Sequence, residues 1–170
     1  MNELATLEWT MTVVEASKML RIDYNVTSRA SQRFYLCDLL PMPGAKTWVL
    51  GSKEIIVMNG PEPGSVIFSR ARVPSRSPLP FLVDPGARSI DPGQTVRGSA
   101  EVPLPLTARH YRGTLEPLKG KPKTATLQIG CIVGNAHWSE LLLDDGGKLT
   151  IPNSSDPMQL LCSESKPLPI

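Results

Sequence analysis

The chain has 170 residues, a formal net charge of +2 and a hydrophobic fraction of 41%, values typical of a soluble globular domain. Seventeen prolines exclude long helices, and no stretch approaches the roughly 18 consecutive apolar residues of a membrane-spanning helix. The first residues lack the basic and apolar regions of a secretion signal, so we expect a cytoplasmic protein that does not contact a membrane.

Alternating apolar and polar residues predict the first strands. Two strands are predicted over 6–13 and 20–27, with Trp9 and Ile22 on their apolar faces. A third strand is predicted over 32–38, where two adjacent aromatic residues favour extended structure. The other short strands predicted in this half of the chain are 46–50, 54–58 and 65–73.

Two Asp-Pro-Gly sequences predict tight turns at 84–86 and 91–93. Proline presets φ at the second turn position and glycine accepts positive φ at the third, so we expect positive φ at Gly86, at Gly93 or at both. The second turn leads into a strand predicted over 95–104.

The strongest core pattern lies near the C-terminus. A strand is predicted over 124–133, with Leu127, Ile129 and Cys131 facing inward and Gln128 facing outward. Neither the helix period nor the strand period fits 136–143 better than the other. The last strands are predicted over 148–151 and 158–162. We expect one domain spanning 1–170, in which 135–170 is a less regular C-terminal extension.

Seven to nine short strands without a ten-residue helix predict an all-β, antiparallel β-sandwich. The strand spacing over about 6–134 resembles that of immunoglobulin-like and fibronectin-like sandwiches, although the Cys…Trp…Cys pattern of true immunoglobulin domains is missing. The resemblance implies this architecture with at most one short helix. It implies no particular function, because many functions share the fold.

Cysteines and histidines are sparse. Cys37, Cys131 and Cys162 lie far apart without a CxxC pair, which predicts neither a disulfide framework nor a zinc site. The two histidines, His110 and His137, are also widely separated. No phosphate-binding or dinucleotide-binding glycine motif occurs. We therefore predict that the protein binds no cofactor and no metal.

The sequence predicts a protein that is not an enzyme, because it contains no nucleophile motif beside a histidine and an acid. The alternative is an enzyme that uses His110 or His137; with His137, the nucleophile would be Cys37 or Cys162.

Positive charge is concentrated in the middle of the chain, where 61–124 holds ten basic and five acidic residues. Arginine and tyrosine often contribute much of the binding energy at interfaces. An acidic protein surface or a carboxylate ligand would match a group of arginines with a tyrosine. The excess of five positive charges in 61–124 is too small to indicate nucleic-acid binding. The candidate binding residues are Arg70, Arg72, Arg76, Arg109, His110, Tyr111 and Arg112. The simpler alternative is that they are solvated surface charges.

These features predict a non-catalytic module that binds another protein or assembles with copies of itself, in an accessory or inhibitor-like role. The alternative is a sandwich that binds a small ligand or a carbohydrate, for which Trp48 or Trp138 should be exposed beside a groove.

Overall fold

The computed structural model describes residues 3–72, 84–109, 116–134, 136–153 and 155–170. In these ranges the chain is all-β, and its one helical segment is a single 3-10 turn at Glu15–Ser17. No helix in the described ranges has the length and apolar character needed to cross a bilayer. The strands are β1 (Ala5–Val14), β2 (Met19–Ser28), β3 (Phe34–Leu39), β4 (Pro41–Pro43), β5 (Trp48–Leu50), β6 (Ile56–Asn59), β7 (Ser65–Arg70), β8 (Gly86–Ile90), β9 (Thr95–Pro103), β10 (Thr124–Ile132), β11 (Trp138–Leu142), β12 (Lys148–Pro152), β13 (Gln159–Cys162) and β14 (Lys166–Pro167).

Strands β1, β2 and β9 form a three-stranded antiparallel sheet in the order β1-β2-β9. Trp9 pairs with Tyr24 across the first ladder, and Ile22 pairs with Ala100 across the second. Paired residues share a face of the sheet, and all four of these side chains are buried. Thr10, one residue out of phase, is exposed. The predicted faces of these strands are confirmed.

The larger sheet is organised around β10. Gly130 pairs with Cys37 of β3 on one side and with Leu160 of β13 on the other. Strand β7 runs parallel to β10, from the Ser65–Thr124 pair to the Arg70–Ile129 pair, so β7 and β3 lie end to end along one edge of β10. Strand β6 extends β7, and β8 extends β3. The parallel pair departs from the purely antiparallel sheets that we predicted.

The main core lies between these two sheets. Trp9 of the small sheet meets Phe68 of the large sheet edge to face, with ring centroids 6.4 Å apart. Leu127 and Ile129 are fully buried in the same cluster, as predicted, and Gln128 is partly exposed. Burial of side chains from both sheets against each other is the packing of a two-layer β-sandwich.

The C-terminal β11–β12 hairpin packs against β3 and β8 of the large sheet. Most of the region 136–143, for which neither period was favoured, forms strand β11 of the β11–β12 hairpin. Leu149 of β12 packs on Gly86 of β8, where a Cβ would lie 2.4 Å from Leu149 Cδ1. Gly86 is the first residue of β8 and does not have positive φ, so the turn predicted there is wrong. Gly93 has φ of +75°, which confirms the second predicted turn.

Candidate binding site

The predicted binding residues do not form one surface in the described part of the chain. Arg70, Arg72 and Arg109 are described and lie in different environments. The other four predicted residues, Arg76, His110, Tyr111 and Arg112, lie outside the described residues.

Arg70 lies inside the sandwich rather than on its surface. Strand alternation places it on the inner face with Phe68, and it is only 4% exposed. Its Nε donates to the carbonyl of Glu54 at 2.9 Å, and its Nη2 donates to the carbonyls of Ser52 at 3.1 Å and Ser99 at 2.8 Å. Its Nη1 donates to Tyr24 Oη at 3.0 Å. These four bonds offset the cost of burying the guanidinium.

A second charged pair extends this network. Tyr24 Oη donates to Asp38 Oδ2 at 2.7 Å, and Arg88 binds the same carboxylate through Nε and Nη2 at 2.9 and 2.6 Å. The Asp38 side chain is fully buried, whereas that of Arg88 is about one-third exposed. Because Arg88 and Asp38 neutralise each other, the positive charge of Arg70 has no carboxylate of its own in the network.

Tyr24 does not supply the missing negative charge. Burial, and then the nearby carboxylate of Asp38, raise the pKa of its phenol well above the usual value, against the opposing effect of Arg70. The phenol is therefore neutral at physiological pH. Arg70, Arg88 and Asp38 together carry a net charge of +1.

The absence of a side chain at a glycine leaves space for the network. Gly98 pairs with Tyr24 across the β2–β9 ladder, and a Cβ at this position would lie 2.2 Å from Tyr24 Cζ. The phenol crosses the space that a side chain would fill and so reaches Asp38 and Arg70.

The network forms the floor of an open cleft of about 260 Å³. We call this cavity the arginine cleft; the lining residues used below are Asp38, Ser52, Arg70, Arg88, Arg97 and Ser99. It opens beside β9, which is an edge strand of the small sheet.

The outer edge of β9 faces the cleft. Hydrogen bonds from Leu104 N–H to Lys18 and from Ser28 N–H to Gln94 fix the phase of the β2–β9 ladder, so the backbone groups of Arg97 and Ser99 point away from β2. The Arg97 carbonyl accepts from Arg88 Nη2 at 3.0 Å, and the Ser99 carbonyl accepts from Arg70. Both acceptors are thus used by guanidiniums. Neither N–H has a partner in the described part of the chain.

Arg72 and Arg109 do not line the cleft. Arg72 contacts Asp84 at 2.7 Å and donates to the carbonyls of Asn153 and Asp156, where it links the large sheet to the C-terminal region. The Arg109 guanidinium lies 3.1 Å from the carboxylate of Glu54, and its backbone pairs with Val57. Since the Glu54 carbonyl accepts from Arg70, Arg70 and Arg109 meet at Glu54.

One predicted histidine is described, and it has an acid beside it. His137 Nδ1 lies 3.1 Å from Asp156 Oδ1, while the imidazole is 84% exposed. The thiols considered as nucleophiles are poorly suited to that role, because burial raises the pKa of Cys37 to about 12 and also raises the pKa of Cys162.

One of the three tryptophans is buried and the other two are partly exposed. Trp9 is buried in the core. Trp48 and Trp138 are each half-buried, and the Trp138 ring packs against Tyr35 with centroids 4.8 Å apart.

Sequence reasoning missed Tyr24 as a polar contact, together with Asp38 and Arg88. One signal was available: Asp38 falls in phase with the inward-facing Phe34 and Leu36, and a charge on an inner face requires a partner. The partner itself could not be identified, because Arg88 lies on a strand that we had not predicted.

In the part of the chain that the structure describes, no three histidine, cysteine or acidic side chains are grouped as a metal site would require. No protein-family model matches the chain, and no significant similarity to a curated protein or to a solved structure was found.

Proposed function

We propose that this chain is a non-catalytic protein-interaction module, comparable in layout to the immunoglobulin-like sandwiches, that holds an acidic group of its partner in the arginine cleft. One observation carries the proposal. A buried guanidinium without a carboxylate of its own lies beneath an open cavity, and a buried net charge is stabilised by a counter-charge. A partner's acidic group would supply that counter-charge.

Arg109 lies close to Arg70, which supports the side of the molecule that bears the cleft as the docking surface. It is held by Glu54, the residue that also accepts a hydrogen bond from Arg70. Three free cysteines, two of them buried, are consistent with a reducing compartment such as the cytoplasm.

Peptide binding tests the proposal. We would measure the fluorescence anisotropy of a labelled hexaglutamate peptide, with hexaglutamine as the neutral control, at low and high salt. Hexaglutamate should bind, and salt should weaken it, because the attraction is between charges. Absence of binding at low salt would refute the proposal.

Two charge reversals of equal size distinguish hexaglutamate binding in the cleft from attraction to the net charge of the protein. Arg97→Glu changes an exposed residue that lines the cleft, whereas Lys148→Glu changes an exposed residue on β12. We expect Arg97→Glu to weaken hexaglutamate binding at least tenfold and Lys148→Glu to change it less than twofold. Equal losses would mean that the peptide binds through net charge alone.

A further inference from the structure

The order of backbone groups along β9 singles out one atom in the arginine cleft. Along an antiparallel edge, each outward residue presents its N–H and then its carbonyl. The sequence of groups facing the cleft is therefore Arg97 N–H, Arg97 carbonyl, Ser99 N–H and Ser99 carbonyl. Arg88 occupies the first carbonyl and Arg70 occupies the second. The Ser99 N–H lies between two guanidiniums.

This arrangement favours binding of a hydrogen-bond acceptor over pairing with an added peptide strand. A peptide strand that paired with β9 would need both donors and acceptors on the edge, but the two carbonyls at this point are already used. A donor flanked by two cations is instead suited to a negatively charged oxygen, since charge-assisted hydrogen bonds are the strong ones.

We propose that the arginine cleft binds a carboxylate, one oxygen of which accepts a hydrogen bond from Ser99 N–H between Arg70 and Arg88. This inference rests on the proposed function and specifies its ligand group. Arg70, Arg88 and Asp38 sum to +1, and the exposed Arg97 at the rim adds another positive charge. The single N–H between two guanidiniums, rather than the net charge, therefore favours one carboxylate oxygen.

A proline substitution removes the donor without breaking the sheet. Asp23 and Ser99 face each other as a non-hydrogen-bonded pair, so the Ser99 N–H takes no part in the β2–β9 ladder. Proline is tolerated on an edge strand where its missing N–H would point outward. Thr95→Pro is the matched control, because Thr95 has the same outward phase on the same edge but does not line the cleft.

The test is a titration of the ¹⁵N-labelled full chain, followed by amide NMR shifts. The probes are N-acetylglutamate α-amide, its neutral glutamine counterpart and inorganic phosphate above its second pKa. We expect the glutamate probe to move the Ser99 amide proton downfield to saturation, and the glutamine probe to leave it unmoved. In Ser99→Pro, the shifts of neighbouring cleft amides should require at least tenfold more glutamate probe, while Thr95→Pro should behave as the wild type.

The outcomes separate this inference from the proposed function. If hexaglutamate binds and Arg97→Glu weakens it, but the glutamate probe leaves Ser99 unmoved, the inference is overturned and the proposed function stands. Tighter binding of the phosphate dianion than of the glutamate probe would overturn the assignment of a carboxylate as the ligand group. If Ser99→Pro does not fold, the wild-type titration alone still decides the outcome.

Discussion

Lys166 donates a hydrogen bond from Nζ to the backbone carbonyl of Trp9, and its ammonium lies 5.5 Å from the centroid of the indole ring. Trp9 is in the middle of β1, an edge strand of ten residues. A long open edge is a template for pairing with another chain, and a lysine on the edge is one way of blocking it.

Replacing Lys166 by Met should therefore promote self-association, because it frees the Trp9 carbonyl to accept from a strand of a second molecule. Sedimentation velocity over a range of concentrations would measure the effect. Lys148→Met, on an exposed lysine of β12, is the control. If the Lys166 variant sediments like the wild type at every concentration, the blocking role is wrong.

Truncation of Ile129 should be costly. The side chain is fully buried on β10, and Ile→Ala substitutions at such positions reduce the free energy of unfolding by about 2–5 kcal/mol. The neighbouring Gln128→Ala, on the opposite face, should cost less than about 0.5 kcal/mol. Urea denaturation of both variants gives the comparison, and similar losses would show that the two faces are assigned wrongly.

A Cβ at Gly93 should lower the stability of the protein solely because of the backbone conformation at this residue. Its φ is +75°, and a Cβ would meet nothing within 4 Å. Gly93→Ala should therefore lower stability by about 1 kcal/mol, with Gly93→Asn lowering it less because asparagine tolerates left-handed backbone better. Thermal denaturation measures both, and an alanine variant as stable as the wild type would contradict the turn.

The Asp156–His137 contact should make stability depend on pH. The hydrogen bonds from the His137 side chain and backbone lower the pKa of Asp156. A carboxyl group whose pKa is lower in the folded state stabilises the fold above its unfolded pKa of about 3.9. That contribution is lost as pH falls through the lower, folded value.

The measurement is the melting temperature of the wild type and of Asp156→Asn between pH 6 and pH 2. The wild type should be the more stable above pH 4, and the difference should shrink as the pH falls below 4. A difference that stays constant across this range would show that ionisation of Asp156 does not contribute.

Local patterns predicted most of the strands, although not β8, and they predicted the contacts between strands poorly. Alternation assigned Leu127 and Gln128 to the correct faces because it reflects burial, which every residue of a strand experiences. Gly86 was misread because Asp-Pro-Gly is a turn signal, whereas the packing of Leu149 on that glycine depends on residues distant in the sequence. The pairing of Asp38 with Arg88 was hidden for the same reason.

The central position of β10 sets the order in which the large sheet can form. Thr124 pairs with Ser65, roughly sixty residues earlier, and β3 lies farther away still; contacts of such long range slow folding because a long loop must close first. During synthesis, β3, β6 and β7 emerge from the ribosome well before the strand that joins them. Until β10 arrives, their inner faces lack a large part of their packing, and this interval is when the nascent chain would benefit most from a chaperone.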